Sequence, residues 1–579
     1  MPNMIQNAKD SISQILNDAY QKAAEKGELP AGAALSGTVE IPKDSANGDF
    51  AANHAMAGAK ALHMAPRKIA ETLIANADLA DTWFASVEVA GPGFINFRLA
   101  DRWYADVLQA VTREGADYGR SDIGHGQKVM VEFVSANPTG PMHMGNARGG
   151  VLGDALASVL DRAGYQVWRE FYVNDAGNQI EKFANSIDAR YQQLLLGEEQ
   201  VAFPEDGYHG DDIKDLARLF YEANGDKYLT VPVTERHQAM AEFGLQRNIP
   251  KMQEDLRRYG IEYDQWFFES ELHESGYVAE SVQKLTDRGY TYEKDGALWL
   301  KTSQILTEQL LKSGKKQEEI DKLELKDDVL RRANGFYTYF AADIAYHRNK
   351  LEKRGFDKVI NVWGADHHGH VARLKGAMDA LGLDGEHRLD IVLMQLVKLT
   401  RNGEVVRMSK RTGKAISLTD LLDEIPVDAA RYFFNSRPES PVEFDLELAI
   451  RQDSENPVYY VQYAHARICT LLAALAAEGH TVPASADAAL LSTPEEKELI
   501  KQLAALPEEI RLAARDYDPS RINRYVTELA ARFHRFYTVC RIKGAESDVQ
   551  AARLLLADCV RRVIAVSLGI IGVTAPEKM

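Results

Sequence analysis

The sequence predicts an α/β chain in three parts: a small α+β domain, a larger parallel-sheet domain carrying an insertion, and an all-α bundle. Three observations carry this prediction. A continuous apolar strand, KVMVEFV, runs through a glycine-rich turn into a segment with apolar residues at helical spacing. The same order restarts at KVINVWGADHHGH. From about residue 455 onward the apolar periodicity is almost wholly helical.

The chain has 579 residues, more than a single core serves, so several domains are expected: 1–120, 121–450 with an insertion over about 200–300, and 451–579. Apolar content of 45% and charged content of 26% are those of an ordinary globular chain. The net charge of −17 speaks against a DNA-coating protein, and no DNA partner is expected. A local basic patch for one folded nucleic acid remains compatible with it. The three cysteines, Cys469, Cys540 and Cys559, lie far from the histidine cluster. That points away from a disulfide framework and toward a reducing compartment, the cytoplasm. The N-terminus has no basic patch followed by an apolar core, so no signal peptide is expected. The longest apolar run, VIAVSLGIIGV, is too short for a bilayer and reads as a buried helix, with no membrane partner.

Along the chain, DSISQILNDAYQKA has helical spacing, and HAMAGAKALHMAPRKIAETLIANA is a second helical run interrupted near Pro66. FASVEVAGPGFINFRLA reads as two strands around a Gly-Pro-Gly turn. After KVMVEFV, the residues Val151, Leu152, Ala155, Leu156, Val159 and Leu160 share a helix face, Gly164 ends the helix, and YQVWREFYVND is the next strand. Strand, turn, helix, strand is a βαβ unit, the building block of a Rossmann-like sheet. Residues 200–300 are more polar and read as the insertion. RLDIVLMQLVKL restarts the sheet once more.

Two stretches carry chemistry. VEFVSANPTGPMHMGNARGG, Val131 to Gly150, passes from strand to helix. In open parallel sheets, ligands bind where strands end and helices begin, because helix N-termini present unpaired N–H groups to phosphate. His143 is placed to meet a phosphate oxygen as charge develops there. Taken alone, the stretch also reads as a glycine-rich helix cap. The second stretch, EVVRMSKRTGKAISL, sets Arg407, Lys410, Arg411 and Lys414 around Gly413. Several cations on a glycine-containing loop suit a triphosphate with a departing pyrophosphate. Taken alone, it also reads as a solvated basic loop.

Together the two resemble the paired signatures of class I aminoacyl-tRNA synthetases, a His-x-Gly-His tetrad and a Lys-Met-Ser-Lys-Ser loop. Here they stand as His143-Met144-Gly145-Asn146 and Arg407-Met408-Ser409-Lys410-Arg411. Asn146 replaces the second histidine and Arg407 the first lysine; Lys410 keeps the second. The wider segments FYVNDAGNQI, YTYFAADIAYH, VWGADHHGHVARLK, VDAARYFFNSRPESPVEFDLELA and NPVYYVQYAHARI resemble the bacterial-type arginyl-tRNA synthetases over essentially the whole chain.

The resemblance implies an arginine–tRNA ligase. It implies ATP with Mg²⁺ and L-arginine as substrates, tRNA(Arg) as partner, and tRNA bound before the adenylate forms. It implies His143 and Lys410 as catalytic residues. Ala136, Asn137, Pro138, Thr139, Gly140, His143, Gly145, Asn146, Arg407, Met408, Ser409 and Lys410 are implied for ATP. For arginine, Glu132, Ser135, Asn137, Tyr339 and Asp343 are implied, with Asp366 and His367 in loose alignment with a glutamine of other members. The chemistry agrees: a guanidinium is held by carboxylates, and Asp343, four residues after Tyr339, shares its helix face. A structural metal at ADHHGH is not expected, because one strand-to-helix turn cannot aim Asp366, His367, His368 and His370 at one ion.

In the bundle, aromatic and basic residues interleave, and Tyr463, Arg467 and Phe536 are expected to meet RNA bases. The resemblance implies anticodon recognition there and an N-terminal domain touching the outer corner of the tRNA. A monomer is expected. There are two rivals: another class I synthetase or small-molecule adenylyltransferase, which would share the ATP seat, and an inactive RNA-binding relative, which need not bind ATP, with Asn146 and Arg407 as its symptoms. An adenylyltransferase would need neither the bundle nor this length. Retention of His143, Gly145 and Lys410 argues against the inactive relative.

Overall fold

The computed structural model describes residues 3–33, 35–395, 397–406, 416–436 and 442–579, and for Asp366 and Val442 the backbone alone. At the centre lies a five-stranded sheet. Its strands are β1 (Lys128–Glu132), β2 (Gln166–Val173), β3 (Gln265–Phe268), β4 (Lys358–Gly364) and β5 (Leu389–Met394). Their order is β5-β4-β1-β2-β3 and every pairing is parallel. The strands are apolar because both faces are covered, the arrangement expected of parallel sheets. Val129 and Val131 join the core on one face, and Met130 joins a second core on the other.

The helix α1 (Met144–Arg162) follows β1 and packs directly on its end. Gly153 makes that approach close: a Cβ there would sit 2.1 Å from Phe133 Cγ. The helix α2 (Tyr339–Arg348) starts behind a Thr338 cap, and α3 (His368–Ala380) follows β4 after a single turn of 3₁₀ helix.

The region 200–300 differs from a plain polar insertion. It holds two long helices, Asp211–Asn224 and Val233–Arg258, which share a small core around Phe183, Tyr191 and Phe220 with the preceding helix Asn178–Leu196. It then returns as β3, the edge strand of the main sheet. Four residues, QWFF, were too short a run to separate from their polar surroundings in the sequence.

The N-terminal residues form a four-stranded antiparallel sheet flanked by helices. Phe84–Ala90 and Phe94–Leu99 pair around the Gly-Pro-Gly turn as the sequence indicates. The last part consists of four long helices, Pro457–Ala477, Pro494–Asp516, Ser520–Val539 and Ser547–Ile570. No helix among the described residues is long and apolar enough to cross a membrane. The three cysteines are free thiols, and burial pushes that of Cys559 up to about 12.

Arg431 joins the parts. It is fully buried and donates to the carbonyls of Tyr259 (3.0 Å), Gly260 (3.1 Å) and Ile571 (3.2 Å). It also pairs with Asp154 on α1. Four acceptors from three remote segments satisfy one buried guanidinium, which offers five donors in a rigid fork.

Candidate active site

The chain bends sharply after β1. Val134 and Ser135 both take positive φ, 72° and 42°. A β-branched residue there is strained and has to be held by its surroundings. The hold is visible: Ser135 Oγ donates to Glu132 Oε1 at 2.8 Å and accepts the Tyr172 N–H of β2 at 3.2 Å.

Glu132 ends β1 and is buried. Its other oxygen pairs with Lys350, which is fully buried. Lys350 Nζ also donates to Asn361 Oδ1 at 3.2 Å and lies 4.0 Å over the Tyr346 ring. Asn361 donates to His347 Nε2 at 2.7 Å, so His347 Nδ1 donates to the Asp343 carbonyl at 2.8 Å. Burial, and then the Lys350 charge, hold His347 well below the ordinary imidazole range, so it is neutral. This polar chain ties the strand end to α2.

On α2, Tyr339 is exposed and Asp343 half-exposed, one turn apart. Tyr339 lines a cavity of about 610 Å³ with Glu269, Asn178, Glu181, His273 and Phe336. Asp343 lines a second cavity of about 360 Å³ with His367, Gly369, His370 and Arg373. Tyr172, on β2, is buried. Burial and then the charges of Glu269, Asp343 and Glu132 push its hydroxyl well up from the usual phenol value. Glu132 is neutralised by Lys350, so Glu269 and Asp343 are the carboxylates left beside these cavities, and carboxylates in a low-dielectric wall favour a cation.

Glu269 is the residue that sequence reasoning missed. It is buried, takes a hydrogen bond at 3.3 Å from His273 Nε2, and accepts from the Asn174 amide at 3.0 Å. It follows the edge strand β3, so the signal that would have found it was the strand itself. Lys350 was missed as well, since a lysine on a polar helix end reads as solvated.

The turn before α1 carries the residues expected to meet phosphate. Asn137 is exposed and Ala136 and Gly140 are half-buried, while Pro138 and Thr139 are buried. The Pro138 carbonyl accepts from Asn248 of the inserted helix at 2.9 Å. His143 caps α1 and is exposed, and Asn146 takes its backbone N–H at 3.0 Å. That bond uses the Asn146 oxygen and leaves its NH₂ as donor. Gly145 is open, with nothing within 4 Å of where a Cβ would be. Ser417 bridges His143, and the Leu418 N–H bonds the Met142 carbonyl at 2.9 Å.

Arg407, Met408, Ser409 and Lys410 lie outside the described residues. Asp366 sits in the turn between β4 and α3, and His367 there is exposed, its ring 5.9 Å from that of Trp363. Among the described residues no group of three or more His, Cys, Asp or Glu could hold a metal ion. His370 instead bonds Asp343 Oδ2 at 3.0 Å.

On the bundle, Tyr463 is exposed and stacks at 6.1 Å on both Tyr459 and His534. Arg467 lies 4.2 Å over the Tyr537 ring. Phe536, expected on this face, is fully buried and packs on Phe533. The two phenylalanines are three apart, so on a helix they share its inner face.

Family models match nearly the whole chain. The arginyl tRNA synthetase N terminal domain covers residues 6–99. The class I (R) tRNA synthetase catalytic domain covers 107–443, and the DALR anticodon binding domain 461–579. The curated arginine–tRNA ligase of Acetivibrio thermocellus is 52% identical over the full length of both chains. That of Caldanaerobacter subterraneus subsp. tengcongensis is 54% identical, again over both full lengths. The fold matches the crystal structure of Thermus thermophilus arginyl-tRNA synthetase with a TM-score of 0.73 at 21% identity, covering 99% of this chain and 100% of that one. The chain belongs to the class I arginyl-tRNA synthetases.

Proposed function

We infer that the chain activates L-arginine with ATP and transfers it to the 3′ end of tRNA(Arg), with the turn after β1 and the N-terminal half of α2 as its reaction site. The single observation that carries the arginine reading is the carboxylate of Glu269 in the cavity that Tyr339 lines, with Asp343 one helical turn further along α2. A guanidinium is held best by carboxylates in planar, charge-assisted pairs.

In this reading Asp343 and Glu269 take the guanidinium and Tyr339 lies along it. Glu132, Ser135 and Asn137 hold the amino-acid end, and Asp366 and His367 close that side. ATP enters as its Mg²⁺ complex, as a substrate. Its phosphates meet His143, Gly145 and the Asn146 amide at the start of α1, with Ala136 to Gly140 beneath the nucleotide. Arg407, Met408, Ser409 and Lys410 cover the phosphates; Ser417, seven residues beyond Lys410, bridges His143 and supports this.

The arginine carboxylate attacks the α-phosphorus, and pyrophosphate leaves. Charge builds on the leaving oxygens, where His143 and Lys410 donate to it. The terminal ribose hydroxyl then attacks the arginyl carbonyl, and AMP leaves. Positioning does most of the work. Residues 1–120 contact the tRNA body and residues 451–579 its anticodon, with Tyr463 and Arg467 on the outer face. The chain acts as a monomer in the cytoplasm.

The test is pyrophosphate exchange into ATP, scanned over the twenty amino acids, with and without total tRNA. Exchange with arginine alone, and only with tRNA present, is the expected result. Exchange with a different amino acid would void the arginine pocket and keep the ATP seat. No exchange at all would overturn both.

A further inference from the structure

Asp343 is not the end of its hydrogen-bond chain. His370 Nε2 lies 3.0 Å from Asp343 Oδ2, and His370 Nδ1 lies 3.1 Å from an Arg373 NH2. A guanidinium donates only, so His370 Nδ1 is the acceptor of that bond. Its Nε2 therefore carries the proton and donates it to Asp343. Arg373 is itself fixed. It pairs with Asp328, donates to the Gly369 carbonyl at 3.2 Å, and lies 5.5 Å over the Phe340 ring. Asp328 in turn accepts from Thr302 Oγ1 at 2.8 Å.

The orientation has a charge consequence. A second proton on His370 would have to sit on Nδ1, pointing straight at an Arg373 N–H. An imidazolium at this place would also neutralise Asp343, the carboxylate that a substrate guanidinium needs. Among the described residues, the charged and titratable groups facing His370 are few. Asp343 and His347 come from α2, His367 from the turn ahead of α3, and Arg373 from α3 with Asp328 behind it. The rest of the contact is aromatic: Phe340 at 5.2 Å from α2 and Trp363 at 5.6 Å from β4.

We propose that Arg373 is a positioning residue for arginine recognition: it fixes His370 as the neutral Nε2–H tautomer, which orients Asp343 and leaves its charge for the substrate. The proposal rests on Asp343 as a guanidinium ligand. Arg373 does not touch arginine in it and does not take part in the bond-making steps.

The experiment is arginine KM in the exchange assay, with tRNA present, from about pH 8 to about pH 6, for the wild type, Arg373→Met, Arg373→Met with His370→Gln, and Asp343→Asn. The wild-type KM drifts little across this window. In Arg373→Met it climbs roughly fourfold by about pH 6, where an unrestrained imidazole of ordinary pKa about 6.5 gains a proton beside Asp343. The KM for ATP follows the wild type throughout. The double variant loses the climb, because a glutamine amide donates without titrating. An Arg373→Met profile parallel to the wild type overturns the proposal, as does a climb that persists in the double variant. Asp343→Asn separates the two readings. If it leaves arginine KM unchanged, the Asp343 assignment itself falls and takes this proposal with it.

A second measurement does not depend on how the variants fold. In wild-type chain carrying nitrogen-labelled histidine, with His370 assigned by its loss in His370→Gln, Nε2 carries the proton and Nδ1 is the bare acceptor. A doubly protonated His370 at about pH 7 overturns the proposal.

Discussion

Lys350 and Glu132 form an ion pair in which the lysine is wholly buried and the glutamate nearly so. Two charges out of water hold only when each meets the other in good geometry and the remaining protons are satisfied. Asn361 and the Tyr346 ring take what Glu132 leaves. Lys350→Met therefore strands a buried carboxylate, and a loss of roughly 3–5 kcal/mol in unfolding free energy is expected. Urea denaturation checks it; a change below about 1 kcal/mol would mean that the pair is not closed in solution.

Asp343→Ala removes a carboxylate assigned to the guanidinium and leaves the phosphate seat intact. Arginine KM should rise by about two orders of magnitude, the scale of a lost charge-assisted hydrogen bond of roughly 1.5–3 kcal/mol. The KM for ATP should move far less. Equal effects on both substrates would sink the assignment.

Glu269→Gln keeps the shape and removes the charge. Arginine KM should rise roughly tenfold, while a neutral side-chain analogue of arginine, such as citrulline, should inhibit as well as or better than before. An unchanged arginine-to-citrulline ratio would place Glu269 outside the pocket.

His347 offers a pH test of stability. Its folded pKa is depressed, mainly by burial, so below about pH 6.5 the unfolded chain binds a proton that the folded chain refuses. Stability from this group is full above that pH and falls, by up to about 1.4 kcal/mol per pH unit, as the pH drops toward the lowered folded value. His54, His465 and His534 are depressed by burial too, so the comparison is between wild type and His347→Gln. The variant should show a shallower acid slope. Identical slopes would show that His347 is charged when folded.

Tyr463 and Phe536 make a contrasting pair. Tyr463→Ala should raise the KM for tRNA by roughly 5- to 150-fold, matching a stacked base worth about 1–3 kcal/mol, and leave stability near wild type. Phe536→Ala should cost roughly 3–5 kcal/mol of stability through the cavity it leaves. If Phe536→Ala were stable and selectively tRNA-defective, its burial would not describe the working protein.

Much of this was legible in the sequence for local reasons. KVMVEFV is apolar on both faces because the sheet is covered on both, and that pattern survives in a few residues. The turn to α1 announces itself through its glycines and His143. The spacing of Tyr339 and Asp343 needs only the helix period. What stayed hidden is non-local. Glu269 reaches the site because β3 leaves a polar region to become an edge strand. Lys350 is buried because Glu132, more than two hundred residues earlier, awaits it. The positive φ of Val134 and Ser135 leaves no trace in residue type, since neither is a glycine. RFHRF looks alternating on paper, but three-residue spacing on a helix turns both phenylalanines inward.

The Arg431 junction carries a consequence in time. Its acceptors include the carbonyl of Ile571, far downstream in the chain, while Asp154 belongs to α1. During synthesis the catalytic sheet can assemble long before this knot is tied, as domains emerge one after another. Until the helix Ser547–Ile570 arrives, Arg431 can meet Asp154, Tyr259 and Gly260 but not the carbonyl of Ile571. The junction therefore closes in two stages, and its last bond is the one that ties the catalytic sheet to the helical bundle.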